Sequence, residues 1–336
     1  MDTSTARLLT LIERFRGRTI AVVGDLIADE FIYGRVARVS REAPVLILNY
    51  DATEILPGGA GNAARNVAAL GGAAQTVGLA GRDEAGRRML DALRASVDVT
   101  GVVRPQEWRT PTKTRILAGG IHSAKQQVVR IDRAAEQRHG REAREAVHAR
   151  LTRALRKCDA VLLSDYGSGL VTPALAAAIR REVGPDRPVF VDSRYQLAKY
   201  RGITACTPNE SEVEHLFGIV IGDDRRVLER AGRALLARLR ARAVLVTRGS
   251  RGMALFEPDK PTEHISIFGS DEIADVTGAG DTVIATVALA VAAGATFPEA
   301  ARLANYAGGI VVMKRGTATV SGAELRAAVA ADRGKA

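Results

Sequence analysis

Short apolar runs recur along the chain, separated by stretches with helical periodicity. Residues 19–25 (TIAVVGD), Ala160–Asp165 (AVLLSD), residues 188–192 (PVFVD) and Ala243–Thr247 (AVLVT) are β-branched and uninterrupted by charge until their ends. That is the pattern of strands covered on both faces. The last three each follow a helical stretch rich in Ala, Leu and Arg, and three of the four end on Asp. Alternating helix and buried strand predicts an α/β fold, a doubly wound, mostly parallel sheet flanked by helices, with ligands at the carboxyl ends of its strands. Two regions break the rhythm. Residues 43–50 (APVLILNY), and residues 112–118 and 126–132 (TKTRILA, QQVVRID) joined through Gly119-Gly120, alternate like half-exposed antiparallel strands. They predict a small β-sheet, over residues 35–50 and 112–131, laid over the site and inserted in a single domain of residues 1–336. The sequence has no internal repeat, low-complexity tract or Pro/Ser linker that would divide it.

Composition narrows the class. With 336 residues, 46% apolar and 26% charged, the chain can bury a large core and is not a disordered polymer. No apolar run reaches the ~18–20 residues of a membrane span. The first residues, MDTSTARLLTLIERFRGR, lack the order of a secretory signal. Cys158 and Cys206 sit in no metal-type or CxxC spacing, and each reads as a small buried apolar residue. A cytoplasmic protein is expected. The formal charge of +10 raises the question of nucleic acid, but only 7 of the 48 basic residues are Lys, the Arg are scattered through helices, and aromatics are 4%. No nucleic-acid partner is expected. Basicity fits a phosphorylated small molecule better.

Three motifs carry chemistry. Asp275-Val-Thr-Gly-Ala-Gly-Asp281 opens an almost wholly apolar helical stretch. The small residues leave the amides of Gly278, Ala279 and Gly280 uncovered at a helix N-terminus, where orphan donors and the macrodipole favour a phosphate. Asp281 beside them is placed to take a hydroxyl proton, although an acid at a helix start has a purely structural reading too. Leu56-Pro-Gly-Gly-Ala-Gly-Asn62 matches a dinucleotide fingerprint only formally, because residues 51–56 make a poor buried strand. Gly58 and Gly59 before a helix instead let a sugar approach the backbone, with Asn62 as donor and acceptor to its hydroxyls. In Asn209-Glu210-Ser211-Glu212, Asn209 and Glu212 share a helix face and could position Mg²⁺ through water; a capping box predicts the same spacing. There is no Walker A loop.

In this order and over nearly the whole chain, these motifs resemble the PfkB (ribokinase-like) carbohydrate kinase family. A narrower likeness, to its heptose 7-phosphate kinases, is carried by Gly24-Asp25 with residues 40–45 (SREAPV), Gln126-Gln127 before residues 128–132 (VVRID), Asp165-Tyr166-Gly167 and residues 316–321 (GTATVS). The resemblance implies a sugar kinase that uses ATP and Mg²⁺, with the O1 of D-glycero-β-D-manno-heptose 7-phosphate as acceptor. Another sugar or nucleoside is the alternative, and a non-catalytic sugar-sensing regulator the alternative from another class. It implies Asp281 as base and Gly278–Gly280 as anion hole. Asp25, Gly58, Gly59, Asn62, Arg115, Gln127, Arg130 and Asp165 fall at sugar-side positions. Asn209, Glu210, Ser211, Glu212, Thr247, Arg248, Gly249 and Asn305 fall on the ATP side, and Asp275 with Thr277 at a potassium site. The irregular strands match the family's lid, which implies a homodimer. If the sugar carries a phosphate, Arg38, Arg41, Lys113, Arg115 and Arg130 are the basic residues expected to meet it. Two departures stand out: Ser168 and Arg194 occupy positions where the heptose kinases carry Lys. The chain also ends at Ala336 without an HxGH nucleotidyltransferase motif, so a stand-alone kinase is expected.

Overall fold

The computed structural model describes residues 5–119, 125–134, 140–269, 275–314 and 316–332. In chain order the strands are β1 (Thr19–Gly24), β2 (Leu26–Val39), β3 (Leu46–Gly59), β4 (Ala73–Leu79), β5 (Asp98–Val103), β6 (Thr112–Gly119), β7 (Gln126–Arg133), β8 (Ala160–Asp165), β9 (Val189–Ser193), β10 (Ala205–Cys206), β11 (Ala243–Thr247), β12 (Met253–Phe256) and β13 (Glu263–Ile265). The α-helices are α1 (Thr5–Glu13), α2 (Ala60–Ala69), α3 (Glu84–Arg94), α4 (Arg141–Leu155), α5 (Pro173–Val183), α6 (Glu210–Phe217), α7 (Arg225–Leu239), α8 (Ala279–Ala292), α9 (Phe297–Val311) and α10 (Gly322–Ala331).

Nine strands form one sheet in the order β13-β12-β11-β10-β9-β8-β1-β4-β5, parallel from β5 to β11, with β12 and β13 antiparallel at one edge. The period-two alternation of each buried run splits its side chains between two cores. Ile20, Val22, Leu162 and Leu245 pack with α1, α2, α3, α8, α9 and α10. Ala21, Val23, Leu163 and Val246 pack with α4, α5 and α7 on the other face. Because both faces are covered, the strands carry no polar alternation. Helix α8 is apolar all round and buried from Asp281 to Ala290, as a helix enclosed by neighbours must be.

The chain moves outward from β1 through β4 to β5, then returns to lay β8 on the other side of β1. The strand order therefore reverses between β1 and β8, and a crevice opens at their carboxyl ends. Asp25 directly follows β1, and Asp165 ends β8.

The second sheet has the order β3-β2-β6-β7. Its strands β6 and β7 lie close to the expected segments, whereas the β2–β3 hairpin is much longer than residues 35–50. It starts at Leu26 and returns at Gly59, so residues 51–56 are strand after all, in an antiparallel ladder rather than the parallel sheet. The reason is uneven burial. Leu26, Ile27, Ala28 and Phe31 are buried against the core while residues 35–39 are exposed, so one strand reads as core at one end and as surface at the other. Strand β7 is exposed along its whole length rather than half-covered. Gly120 of the expected turn lies outside the described residues.

Within α7, a Cβ on Gly232 would stand 2.3 Å from the buried ring of Phe256. Helix propensity favours Ala over Gly by about 1 kcal/mol, but overpacking a core costs about 1–3 kcal/mol. Gly232→Ala is therefore expected to lower the melting temperature, as measured by calorimetry. An unchanged or higher melting temperature would show that the ring yields without cost.

Candidate active site

Helix α8 points its N-terminus at the crevice. Gly278 takes a left-handed conformation (φ +78°) and acts as N-cap without a side chain to cap the helix. The Ala279 amide is not open as expected: it donates to the Val276 carbonyl at 3.2 Å, closing the turn that precedes the helix. Among the described residues, the amides of Gly278 and Gly280 have no such acceptor. They remain the free donors of the site, backed by the helix dipole.

Asp281 sits on the first turn, 3% exposed. One of its carboxylate oxygens accepts from Asn62 Nδ2 at 2.9 Å and the other from the Tyr166 hydroxyl at 3.0 Å. Burial raises its carboxyl to about 7, against the lowering effect of those two hydrogen bonds. An acid in that range changes proton state near neutrality, as a general base needs to.

The segment after β8 is fixed by Asp25. Its Oδ2 accepts from the amides of Tyr166 (2.8 Å) and Ser168 (3.1 Å), and its Oδ1 from the Ser168 hydroxyl. Burial raises the Asp25 carboxyl too. So Ser168, where a lysine was expected, is a tether for Asp25. Asp165 is likewise used internally, accepting from Ser193 Oγ and Tyr200 OH, both at 2.7 Å.

A cavity of about 970 Å³ lies between the two sheets and the ends of β8 to β11. Gly59, Arg115, Arg130, Asp165, Asn209 to Glu212, Thr247 to Gly249, Thr277 to Asp281 and Asn305 line it. Asp25, Gly58, Asn62, Gln127 and Asp275 do not, and neither do Arg38 and Arg41. Gly58 is small for a different reason than a sugar: a Cβ there would be 2.1 Å from the Asp29 carboxylate. At Gly59 (φ +55°) it would be 2.6 Å from the Asp25 carbonyl. Gln127, Arg38 and Arg41 are exposed on the small sheet and its hairpin connection.

Asn209 and Glu212 form the capping box, Glu212 Oε2 accepting from the Asn209 amide at 2.9 Å and Asn209 Oδ1 from the Glu212 amide at 2.8 Å. Both still face the cavity, and burial raises the Glu212 carboxyl. Glu210 is used on Arg248 (2.6 Å) and on Arg251, while Arg248 also donates to the Gly222 carbonyl. Asn305 donates to the Ser266 carbonyl. The Asp275 carboxylate accepts from the Thr277 and Gly316 amides, so it shapes the loop before α8. Among the described residues no three His, Cys, Asp or Glu side chains group as metal ligands.

Asp29, Asp192, Thr207 and Thr317, which sequence reasoning passed over, converge here with Lys113 and Arg194, which it had named. Asp192 lines the cavity, its carboxyl pushed well above the usual range by burial and by Asp281 and Glu212 nearby. Lys113 and Arg194 line it too, and Asp29 holds Arg115 at 2.5 Å. Thr207 and Thr317 line the cavity, and their buried hydroxyls have no hydrogen-bond partner among the described residues. The usable signal was position: Asp192 and Thr207 fall at strand ends.

A glycine-framed helix start with free amides, a buried carboxylate on its first turn and a polar cavity at a sheet's reversal point define a phosphoryl-transfer enzyme acting on a hydroxyl. The comparisons with known proteins agree. Residues 18–323 match the model of the pfkB family of carbohydrate kinases. Among curated relatives, the bifunctional protein HldE of Caulobacter vibrioides is 43% identical over 98% of this chain and 67% of its own length. That of Geobacter metallireducens is 42% identical over 94% and 64%. The chain thus spans about two thirds of the length of these relatives. The fold matches Arabidopsis thaliana ribokinase complexed with ribose and ATP (TM-score 0.72, 21% identity, 94% of this chain and 99% of that one). It matches Escherichia coli phosphofructokinase-2 in complex with substrates and products equally well (TM-score 0.73, 19% identity, 94% and 99%). The chain belongs to the pfkB carbohydrate kinase family, and it is an ATP-dependent sugar kinase. No helix among the described residues is long and apolar enough to cross a membrane.

The raised carboxyl of Asp281 has a stability consequence. Its folded value, about 7, lies above the ordinary 3.8, so between these values the folded state binds the extra proton and stability falls as pH rises. Above pH 7 the full penalty of a buried charge is present. Asp281→Asn removes it, and the Tyr166 hydroxyl can rotate to accept from the new amide. The variant is expected to melt higher than wild type at pH 8 and to lose that advantage toward pH 4, in parallel melting curves.

Proposed function

We propose that the chain acts as one kinase domain with the small sheet as its lid, and that it phosphorylates the anomeric O1 of a heptose 7-phosphate. The reading is carried by the pairing of Asp281 with the open amides of Gly278 and Gly280 across one cavity. Asp281 takes the proton of the sugar hydroxyl, whose oxygen attacks the γ-phosphorus of ATP in line, and the bond to the β,γ-bridging oxygen breaks to release ADP. The amides receive the charge that builds on the transferring group. The unpartnered hydroxyls of Thr207 and Thr317 fit a polar ligand in the same space. Asn209 and Glu212 would hold Mg²⁺ through water: both line the cavity and both carry side-chain oxygens suited to a hard cation. Magnesium would supply neutralising charge on the nucleotide phosphates. A potassium ion near Asp275 and Thr277 is the remaining cofactor reading, checked by exchanging K⁺ for Na⁺ in the assay. If Asp281 is the base, Asp281→Asn should lower kcat by on the order of 10²–10⁴ while nucleotide binding survives. Near-normal turnover would remove Asp281 from the mechanism.

The phosphorylated substrate is supported by the cations of the cavity. Arg115 and Arg130 are paired with Asp29 and Asp132. Lys113 and Arg194 make no ion pair among the described residues, and Lys113 stands near Asp29 and Asp132 as well as Arg194 and Arg115. Such a cluster favours an anion. The heptose is supported by the motif likeness of Gly24-Asp25 and residues 40–45, 126–132, 165–167 and 316–321, and by the HldE relatives. Lys113→Met and Arg194→Met should each cut kcat/KM on heptose 7-phosphate about 10- to 150-fold, with little effect on the unphosphorylated sugar. Equal losses on both sugars would point to an unphosphorylated substrate.

A homodimer through the lid is supported by its exposed apolar side chains, among them Val36, Val39, Leu46, Val129 and Ile131. Ile131→Asp is expected to sediment as a monomer where wild type sediments as a dimer.

A further inference from the structure

The proposed base is held by two donors of different origin. Asn62 stands at the start of α2 and reaches Asp281 Oδ2, and it also donates to the Gly278 carbonyl at 3.3 Å. Tyr166 comes from the loop after β8, whose amides are pinned by Asp25. Its hydroxyl is the hydrogen-bond donor to Asp281 Oδ1. The face of its ring carries the ammonium of Lys113, 4.8 Å from the centroid. One side chain therefore touches the base at its tip and strand β6 of the small sheet through its ring.

We infer that Tyr166 is a positioning residue for the reaction, its hydroxyl holding the Asp281 carboxylate ready to accept the sugar proton. The inference rests on the reading of Asp281 as base. The groups facing Asp281 are Asn62 from α2, Asp29 from β2, Lys113 from β6, Tyr166 after β8 and Asp192 from β9. Burial, Asp29 and Asp192 favour the protonated acid. Asn62, Tyr166 and Lys113 favour the carboxylate that can act as base. Tyr166 does so without competing for the proton, because its own ionisation is pushed well above its ordinary value by burial and by the carboxylates around it. It stays a donor at every pH where the enzyme works.

Tyr166→Phe deletes one oxygen and keeps the ring beneath Lys113, so the contact with the small sheet survives. Without the donor, Asp281 retains its proton to higher pH. The acidic limb of kcat/KM is expected to move up by about one pH unit, with a loss of roughly tenfold below the limb that shrinks as pH rises. Melting curves verify that the fold is kept. A rate loss that is uniform across pH, with the limb unmoved, would overturn the inference and leave Tyr166 a structural prop. Wild-type rates at every pH would overturn it as well. Asp281→Asn, assayed alongside, separates the two claims: normal turnover there defeats the base reading itself. An inactive Asp281→Asn with an unmoved limb in Tyr166→Phe defeats the role of Tyr166 alone.

Discussion

The molecule is organised around one buried charge. A carboxylate placed inside a protein is unfavourable unless its oxygens are met by donors, and at Asp281, on the first turn of α8, two distant parts of the chain answer that need. Asn62 is brought by the end of the β2–β3 hairpin, Tyr166 by the end of β8, and the open helix end by α8 itself. These lie far apart in sequence, 219 residues between Asn62 and Asp281 and 115 between Tyr166 and Asp281. The site therefore exists only when the reversal point of the large sheet is closed. The same need explains why Asp25, a second buried acid, is spent on the amides of the 166–168 loop rather than turned toward the cavity.

Much of this arrangement was legible in the sequence because it depends on local rules. Buried parallel strands show as unbroken β-branched runs, and β8 and β11 fall where those runs fall. The start of α8 was readable from the loss of side chains in Gly278-Ala279-Gly280 ahead of an acid. The capping box of Asn209 and Glu212 was readable too, because N-cap chemistry is written within four residues. What stayed hidden depends on contacts between distant segments. Tyr166 looked like an ordinary residue after a strand, and only its reach to Asp281 gives it meaning. Gly58 looked like an opening for a sugar, yet the space its missing side chain leaves is taken by Asp29. Arg248 belonged to the nucleotide side by likeness, and the fold commits its guanidinium to Glu210 and a backbone carbonyl. Hairpin length escaped detection because periodicity reports exposure, and exposure changes midway along β2.

The cavity divides its charge unevenly. Asp165, Asp192, Glu210 and Glu212 line it at the ends of β8 and β9 and the start of α6, with Lys113, Arg115 and Arg130 on the small sheet, Arg194 after β9, and Arg248 and Arg251 beyond β11. Strand β6 runs beside β2 in the small sheet and brings Lys113 and Arg115 to the cavity, where Asp29 of β2 stands with them.

The placement of α8 bears on how the chain is made. Ten consecutive residues of this helix are buried, between α2 on one side and α9 on the other, and it forms the middle of one face of the large sheet. Much of the core that α8 joins, including Ile20, Val22, Val67 and Leu162, is synthesised long before residue 279 emerges from the ribosome. Until then that face has no central layer, and the nascent chain carries an open apolar surface for most of its translation. The helix whose first turn carries Asp281 also fills the middle of that core, so a chain cut short ahead of it lacks both that carboxylate and its central layer.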